Sequence, residues 1–398
     1  MSSTTESFEK ELDLCLAKLN KEVDKDWIEI VDELGLDVHY DTLRRMAYGY
    51  RKYHNYIREK GLDSIAADMQ DELNKKLIEI KKKTVQLNDL RTEVNRQARY
   101  QARYEQLLET VKYCWEKANE IKPFQDYEVI LPEEGDIVRE GVLLLSDLHY
   151  GQATDNYWNS YNPSEFNRRC DVLVQRTLEI SKLHNVQKVN ILGLGDYING
   201  LIHTTTRLSN RESIVEQVIK VSEAIATIVY EIAKEVPYVT LSMTDDNHSR
   251  MFANKNETTD KDSFVPFMKE FIKMRIKDLP NVVFIDNHID SGIVVLDICN
   301  CTVVGVHGDK DSMKNAIPRM TSMLKTNIDY LCMAHYHNIK EDTEGESELI
   351  VNGSFGGTDD YAKNLRLHSK PMQKYMIFSR EYGRECTYNI DVRGVRKC

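Results

Sequence analysis

Apolar positions recur every three or four residues through roughly the first 120 residues, then in short runs that alternate with helical stripes. Near the start, Trp27, Ile30, Val31 and Leu34 fall at i, i+3, i+4 and i+7, and Gly35 ends the stripe. Asp41-Thr42 offers an N-cap for a second helix, in which Leu43, Met46, Ala47 and Tyr50 repeat the spacing. Residues 1–62 are therefore expected to form a helix-turn-helix-like helical unit. The outward face of its second helix carries Arg44, Arg45, Tyr48, Arg51 and Lys52. A helix that reads a DNA major groove presents such a face; a small bundle with a solvated charged surface has the same pattern.

Residues 63–122 hold neither Pro nor Gly and predict one long helix, ~85 Å at 1.5 Å per residue. Ile65, Met69, Leu73, Leu77, Ile80, Leu87, Val94, Ala98, Leu108 and Val111 form an intermittent stripe, interrupted by Arg91, Gln101 and Glu105. A helix of that length needs a partner for its stripe, so a coiled coil or helical hairpin is expected, and with it a homo-oligomer through this helix. Lys122-Pro123 ends it and Pro132-Glu-Glu-Gly135 makes a turn. From 138 to 398 the pattern is α/β. Strands are expected at 142–146, 188–194, 238–243, 282–285, 293–297, 302–306 and 329–333. Helices are expected at 163–184, 211–235, 261–278 and 312–325. Short strands follow residue 348.

Composition narrows the class only a little. Of 398 residues 41% are hydrophobic and 29% charged, as in ordinary globular chains. No apolar run is long enough to cross a bilayer, and the polar, acidic N-terminus is unlike a secretory signal, so a cytoplasmic protein without membrane contact is expected. The eight cysteines are scattered with no Cys-x-x-Cys pair, which argues against disulfides and a thiolate zinc cluster. The net charge of −11 excludes general nucleic-acid affinity over the whole surface, but not a local basic face.

The chemistry sits where the apolar runs stop. Val142–Leu145 leads to Asp147-Leu-His149, two residues that would share a side if the backbone stayed extended. The run from Val189 ends in Gly195-Asp196-Tyr-Ile-Asn199, and that from Val239 in Asp246-Asn247-His248-Ser-Arg250. The run from Val303 ends in His307-Gly308, and that from Leu331 in Ala334-His335-Tyr-His337. Five runs thus deliver Asp, Asn or His to their carboxyl ends, the edge at which α/β sheets bind ligands. Carboxylate, carboxamide and imidazole without thiolate suit Mn²⁺, Fe or Zn²⁺, and seven such groups fit two ions sharing a carboxylate.

The ordered set Asp-x-His, Gly-Asp-x-x-Asn, Asn-His, His-Gly, His-x-His resembles the calcineurin-like metallophosphoesterase superfamily over about residues 141–380. The resemblance implies a four-layer α/β/β/α sandwich behind the all-α arm, and two divalent metals, Mn²⁺ foremost, with Fe or Zn²⁺ as alternatives. It implies Asp147, His149 and His337 on the first metal, Asp196 bridging, and Asn247, His307 and His335 on the second. His248 would contact phosphate and protonate the leaving oxygen as general acid. Arg250 could neutralise phosphate charge, and His203, Arg207 and Arg211, in the stretch after the bridging Asp, are candidate substrate contacts. Asp246 stands where the family has Gly, and Ser249 where it has an acid; the extra carboxylate could crowd the second metal. The Gly-rich, then basic, stretch Asn352–Arg366 resembles phage-encoded members.

These features point to a metal-dependent phosphoester hydrolase, with a DNA phosphodiesterase or nuclease favoured by the helical arm. A phosphatase or phosphodiesterase of small nucleotides with an oligomerising arm is the first alternative. A DNA-binding scaffold with weakened catalysis, if Asp246 is damaging, is the second.

Overall fold

The computed structural model describes residues 2–132, 137–202, 204–252, 255, 258 and 262–394. The chain divides into two compact units, Met1–Tyr104 and Glu105–Cys398. The first opens with α1 (Ser2–Leu19), α2 (Trp27–Leu34) and α3 (Tyr40–Glu59). These share a small core of Cys15, Ile30, Leu43 and Ala47. Asp26 begins α2 by accepting from two backbone N–H groups, and Gly35 closes it in the left-handed region. Met46 stays exposed although the spacing puts it in the stripe. α4 (Leu62–Glu120) is a single helix of 59 residues, whose Leu73, Ile80, Leu87 and Val94 stand exposed.

The second unit continues with β1 (Arg139–Leu145), β2 (Thr154–Asp155), β3 (Ser160–Tyr161), α5 (Pro163–His184), β4 (Lys188–Gly193), α6 (Thr204–Ser209), α7 (Ile214–Ala233), β5 (Tyr238–Met243), α8 (Val265–Ile276) and β6 (Val282–Phe284). There follow β7 (Ile293–Ile298), β8 (Cys301–Val306), α9 (Ala316–Leu324), β9 (Tyr330–Met333), β10 (Lys340–Glu344), β11 (Ser347–Val351), α10 (Asp360–Asn364), β12 (Met372–Ser379) and β13 (Gly383–Asp391). One sheet has the order β13-β12-β1-β4-β5-β6, the other β10-β11-β9-β8-β7. Within them β1, β4, β5 and β6 run parallel, as do β8, β9 and β11.

Side-chain alternation makes the layers. On β1, Val142 and Leu144 enter a core shared with Leu296 and Val303 of the other sheet. Leu143 and Leu145 face the opposite way, into a core with Leu173 of α5, Val221 of α7 and Ile272 of α8. Val304 and Val306 of β8 pack on Ile317 and Met320 of α9. The result is a four-layer α/β/β/α sandwich. α5 begins at Pro163 behind an Asn162 cap, and α7 begins with a Ser213–Glu216 capping box. The long helices fall within a few residues of their expected spans.

Pattern reading passed over five elements. β10, Lys-Glu-Asp-Thr-Glu, is exposed throughout and has no apolar face to reveal it; the charges suit a sheet edge. β2, β3, α6 and α10 are too short for a period to register. Among the described residues no helix is long and apolar enough to cross a membrane.

Leu144 is fully buried between the sheets. Leu144→Ala is expected to lower unfolding free energy by roughly 2–5 kcal/mol in urea denaturation, as cavity-forming substitutions do. A loss below about 1 kcal/mol would argue against tight packing between these sheets.

Candidate metal centre

The carboxyl ends of β1, β4 and β5 lie in register, Leu145 opposite Gly193 and Gly193 opposite Met243. In the other sheet Val306 of β8 pairs with Met333 of β9. The loops leaving these ends hold all seven expected ligand residues. After β1 the backbone does not remain extended. Asp147 and His149 have φ of 51° and 43°, so they converge through left-handed turns rather than strand alternation. Backbone bonds from Asp147 N to Gly195 O (3.0 Å) and His149 N to Asp196 O (2.9 Å) hold the two loops side by side. Gly195 sits at φ +90°, and a Cβ there would come within 2.7 Å of both Asp246 Cβ and His307 Nδ1.

Asp147, His149, Asp196 and His337 bring their ligand atoms within 4.8 Å of one another; so do Asp196, His307 and His335. Asp196 belongs to both groups, and its oxygens divide between them. Oδ2 lies 3.7 Å from His149 Nε2, and Oδ1 lies 3.2 Å from His307 Nε2. Asn247 joins the second group through Oδ1, 2.9 Å from His307 Nε2. In the first, His337 Nε2 is 3.2 Å from both Asp147 Oδ1 and His149 Nε2.

The residues fit divalent metals. Asp147 and Asp196 are almost wholly buried, and two imidazole nitrogens, His149 Nδ1 and His335 Nδ1, are buried without a hydrogen-bond partner. Buried charge and orphaned lone pairs are costly unless a cation or donor meets them. Oxygen and imidazole nitrogen without sulfur match Mn²⁺, Fe or Zn²⁺.

Hydrogen bonds behind the ligands orient them. His307 Nδ1–H donates to Leu194 O (2.7 Å), leaving Nε2 as its ligand atom. Ser146 Oγ donates to Asp147 Oδ2 (2.7 Å), receives Asn352 Nδ2 (2.9 Å), and its backbone N–H meets Gln373 Oε1 (2.9 Å). The Gly-rich stretch contributes here: Gly356 N donates to Asp147 O (3.1 Å), while buried Arg169 donates to the carbonyls of Phe355 and Gly356. Sequence reasoning missed Ser146, Asn352, Gln373 and Arg169. Of these, only Ser146 and Asn352 carried any signal, by adjacency to Asp147 and to the Gly run.

His248 lies outside both groups. Its Nδ1–H donates to Asn199 O (2.8 Å), and its Nε2 stands 3.8 Å from Asp196 Oδ2. Gly200 makes this approach possible: a Cβ there would meet the His248 carbonyl at 2.1 Å. Asp246 lies beside the second group, lining one cavity with Asn247 and His307. Its oxygens accept Ser249 N–H (2.5 Å) and Ser249 Oγ–H (2.9 Å), closing the turn that presents Asn247 and His248.

Arg250 lines a cavity of about 480 Å³ next to Asn247 and His307. A second cavity of about 640 Å³ opens over His149, Asp196, His335 and His337. Arg207 and Arg211 are exposed and line neither cavity, although α6 itself does so through Thr206 and Leu208. His203 lies outside the described residues. Asn210 donates to Gly200 O (2.8 Å). In the first unit, Arg44, Arg45, Tyr48 and Lys52 are exposed on α3 and Arg51 is half-buried. Arg44 and Arg45 pair with Asp41 at 2.7 and 2.9 Å, and Arg51 lies over the Tyr48 ring at 5.3 Å.

Burial and neighbouring charge push the site's groups apart. Burial, then the nearby His248, takes His149 down to about 3. Burial also opposes the charged form of His307, but Asp196 outweighs it and raises that imidazole to about 10. Burial disfavours ionised Asp196, yet His248 and His307 hold it well below the usual carboxylate range. Burial and Asp196 lift Asp246 to about 7. Without metal, protonated His307 serves as the counter-charge of Asp196.

No family model matches the chain. It is 25% identical over 360 residues to the SPbeta prophage-derived uncharacterized protein YonJ of Bacillus subtilis (strain 168), covering 85% of this chain and 86% of that protein. An archaeal phosphodiesterase superposes with TM-score 0.31 and 11% identity, over 63% of this chain and 99% of its own. Zinc-bound Vps29 of Entamoeba histolytica gives 0.29, 13%, 63% and 99%. A hypothetical protein from Pyrococcus horikoshii OT3 gives 0.32, 13%, 63% and 88%. Scores this low assign no function.

Isothermal titration with Mn²⁺ is expected to detect two ions. Asp196→Asn should weaken both sites at least tenfold, whereas His335→Ala should weaken one; two intact sites in Asp196→Asn would show that it is not shared. A metal ligand must be unprotonated, and His307 holds its proton up to about pH 10. Binding at pH 7 should therefore release at least one proton, read from the buffer dependence of the heat, and affinity should rise with pH.

Proposed function

We propose that this protein is a divalent-metal-dependent phosphoester hydrolase, and that its substrate is a nucleic-acid phosphodiester. The carrying observation is Asp196, whose two oxygens serve two separate groups of imidazoles. Two divalent cations bound there would supply positive charge for a phosphoryl group and lower the pKa of water. The chain supplies the rest. Asp147, His149, Asp196 and His337 would hold one ion, and Asp196, Asn247, His307 and His335 the other. His248, fixed through Nδ1–H, presents Nε2 to the same space, where it can bond a phosphoryl oxygen and hand a proton to the departing one. Diester specificity is favoured by room on both sides of the centre, 640 and 480 Å³ in two cavities that share Asn247.

The basic, tyrosine-bearing face of α3 supports contact with DNA, and the exposed stripe of α4 supports self-association. That stripe also favours the small-nucleotide reading with an oligomerising arm. The weakened-scaffold reading rests on Asp246, whose carboxylate accepts from Ser249 and is raised in pKa by burial and by the neighbouring Asp196.

Mn²⁺-dependent hydrolysis of bis-p-nitrophenyl phosphate, DNA and mononucleotides tests this directly. Diester and DNA cleavage are expected; activity on the diester but not on DNA would leave the small-nucleotide reading. His248→Ala should lower kcat by roughly 10²–10⁴-fold on an alkyl leaving group, and by less on p-nitrophenolate, which departs without a proton. Equal losses on both would remove His248 as the acid.

A further inference from the structure

The two cavities at the centre differ in chemistry. The smaller bears Arg250, Lys255, Lys310 and Arg319 alongside several carboxylates. The larger has no Lys or Arg among its described lining residues; its Asp359 caps α10 and its Asp360 lies 3.7 Å from Lys363. Its lining is mixed, with apolar side chains in two places: Ile202 and Leu208 at α6, Tyr361 and Leu367 in the segment around α10. Leu208, Tyr361 and Leu367 are 82%, 55% and 54% exposed. Between them Asn338, Thr206 and Ser369 offer polar edges.

A wall that supplies no Lys or Arg of its own offers no counter-charge to a further phosphate. The group seated there is neutral. Solvent-exposed aromatic and aliphatic side chains suit a flat apolar face, and the amide and hydroxyls suit a polar rim. A sugar alone would leave the apolar walls unused; an acyl chain would leave the polar groups unused. Building on the hydrolase reading above, we propose that this cavity is a nucleoside subsite, in which Tyr361 stacks on the base of the nucleotide being cleaved. Water adds to phosphorus and loses a proton, the P–O ester bond breaks, the departing oxygen takes a proton from protonated His248, and the water's proton restores His248. A base paired within a duplex cannot enter, so the preferred substrates are single strands or simple nucleotide esters.

The test compares kcat/KM for thymidine 5′-(p-nitrophenyl phosphate) and methyl p-nitrophenyl phosphate with Mn²⁺, using the full chain. The two esters share the scissile bond and leaving group. The thymidine ester is expected to be favoured at least tenfold. Tyr361→Ala should cut that ratio roughly 10–100-fold, the scale of one base–aromatic stack, and Tyr361→Phe should keep it. Leu208→Ala, in the same cavity, should cut it less. A ratio within twofold of unity, or one that Tyr361→Ala leaves unchanged, overturns the subsite while phosphodiester hydrolysis stands. Hydrolysis of neither ester overturns both.

Discussion

The Asp196 carboxylate is almost wholly buried, with imidazoles of the two sheets on either side of it. A carboxylate in such a place survives only if positive charge is supplied at short range. His307, fastened to Leu194 O, supplies it from one side, and His149 and His248 approach from the other. The architecture serves this requirement. Parallel strands in register bring Asp147, Asp196 and Asn247 to one edge, and β8 and β9 bring the remaining imidazoles from the facing sheet. Neither sheet could build the centre alone.

Much of this was legible in the sequence. The apolar runs located the strands, and the residues that stop them named the ligand candidates, because strand termini are where a sheet exposes side chains to a ligand. Amphipathic spacing located α5 and α7 for the same physical reason. What escaped was whatever lacks a period. The Asp147–His149 convergence was expected from strand alternation, yet it arises from two left-handed turns, a backbone choice that no hydrophobic pattern encodes. Ser146, Asn352, Gln373 and Arg169 orient the site from loops and strands far apart in sequence, and only folding shows their neighbours.

Asp246 illustrates a local swap. The carboxylate expected at position 249 is found at 246, and its partner Ser249 donates back to it across the turn. In this chain the turn is closed by Asp246 accepting from the Ser249 backbone and hydroxyl. The same carboxylate whose charge could weigh on the second metal also closes the turn that presents Asn247 and His248.

Eleven described non-glycine residues have positive φ, and five of them are Asp147, His149, Asp196, His335 and His337. Asp and His tolerate that region better than most side chains, but each still costs about 1 kcal/mol, or roughly 5 kcal/mol together. That is on the order of the entire net stability of a typical domain. The centre is therefore a spring held compressed by its surroundings, and the thick doubly layered core is what prevents it from relaxing. Improving the activity of such a chain and shrinking its sandwich are opposed aims: removing layers would let the ligand turns relax before the fold itself was lost.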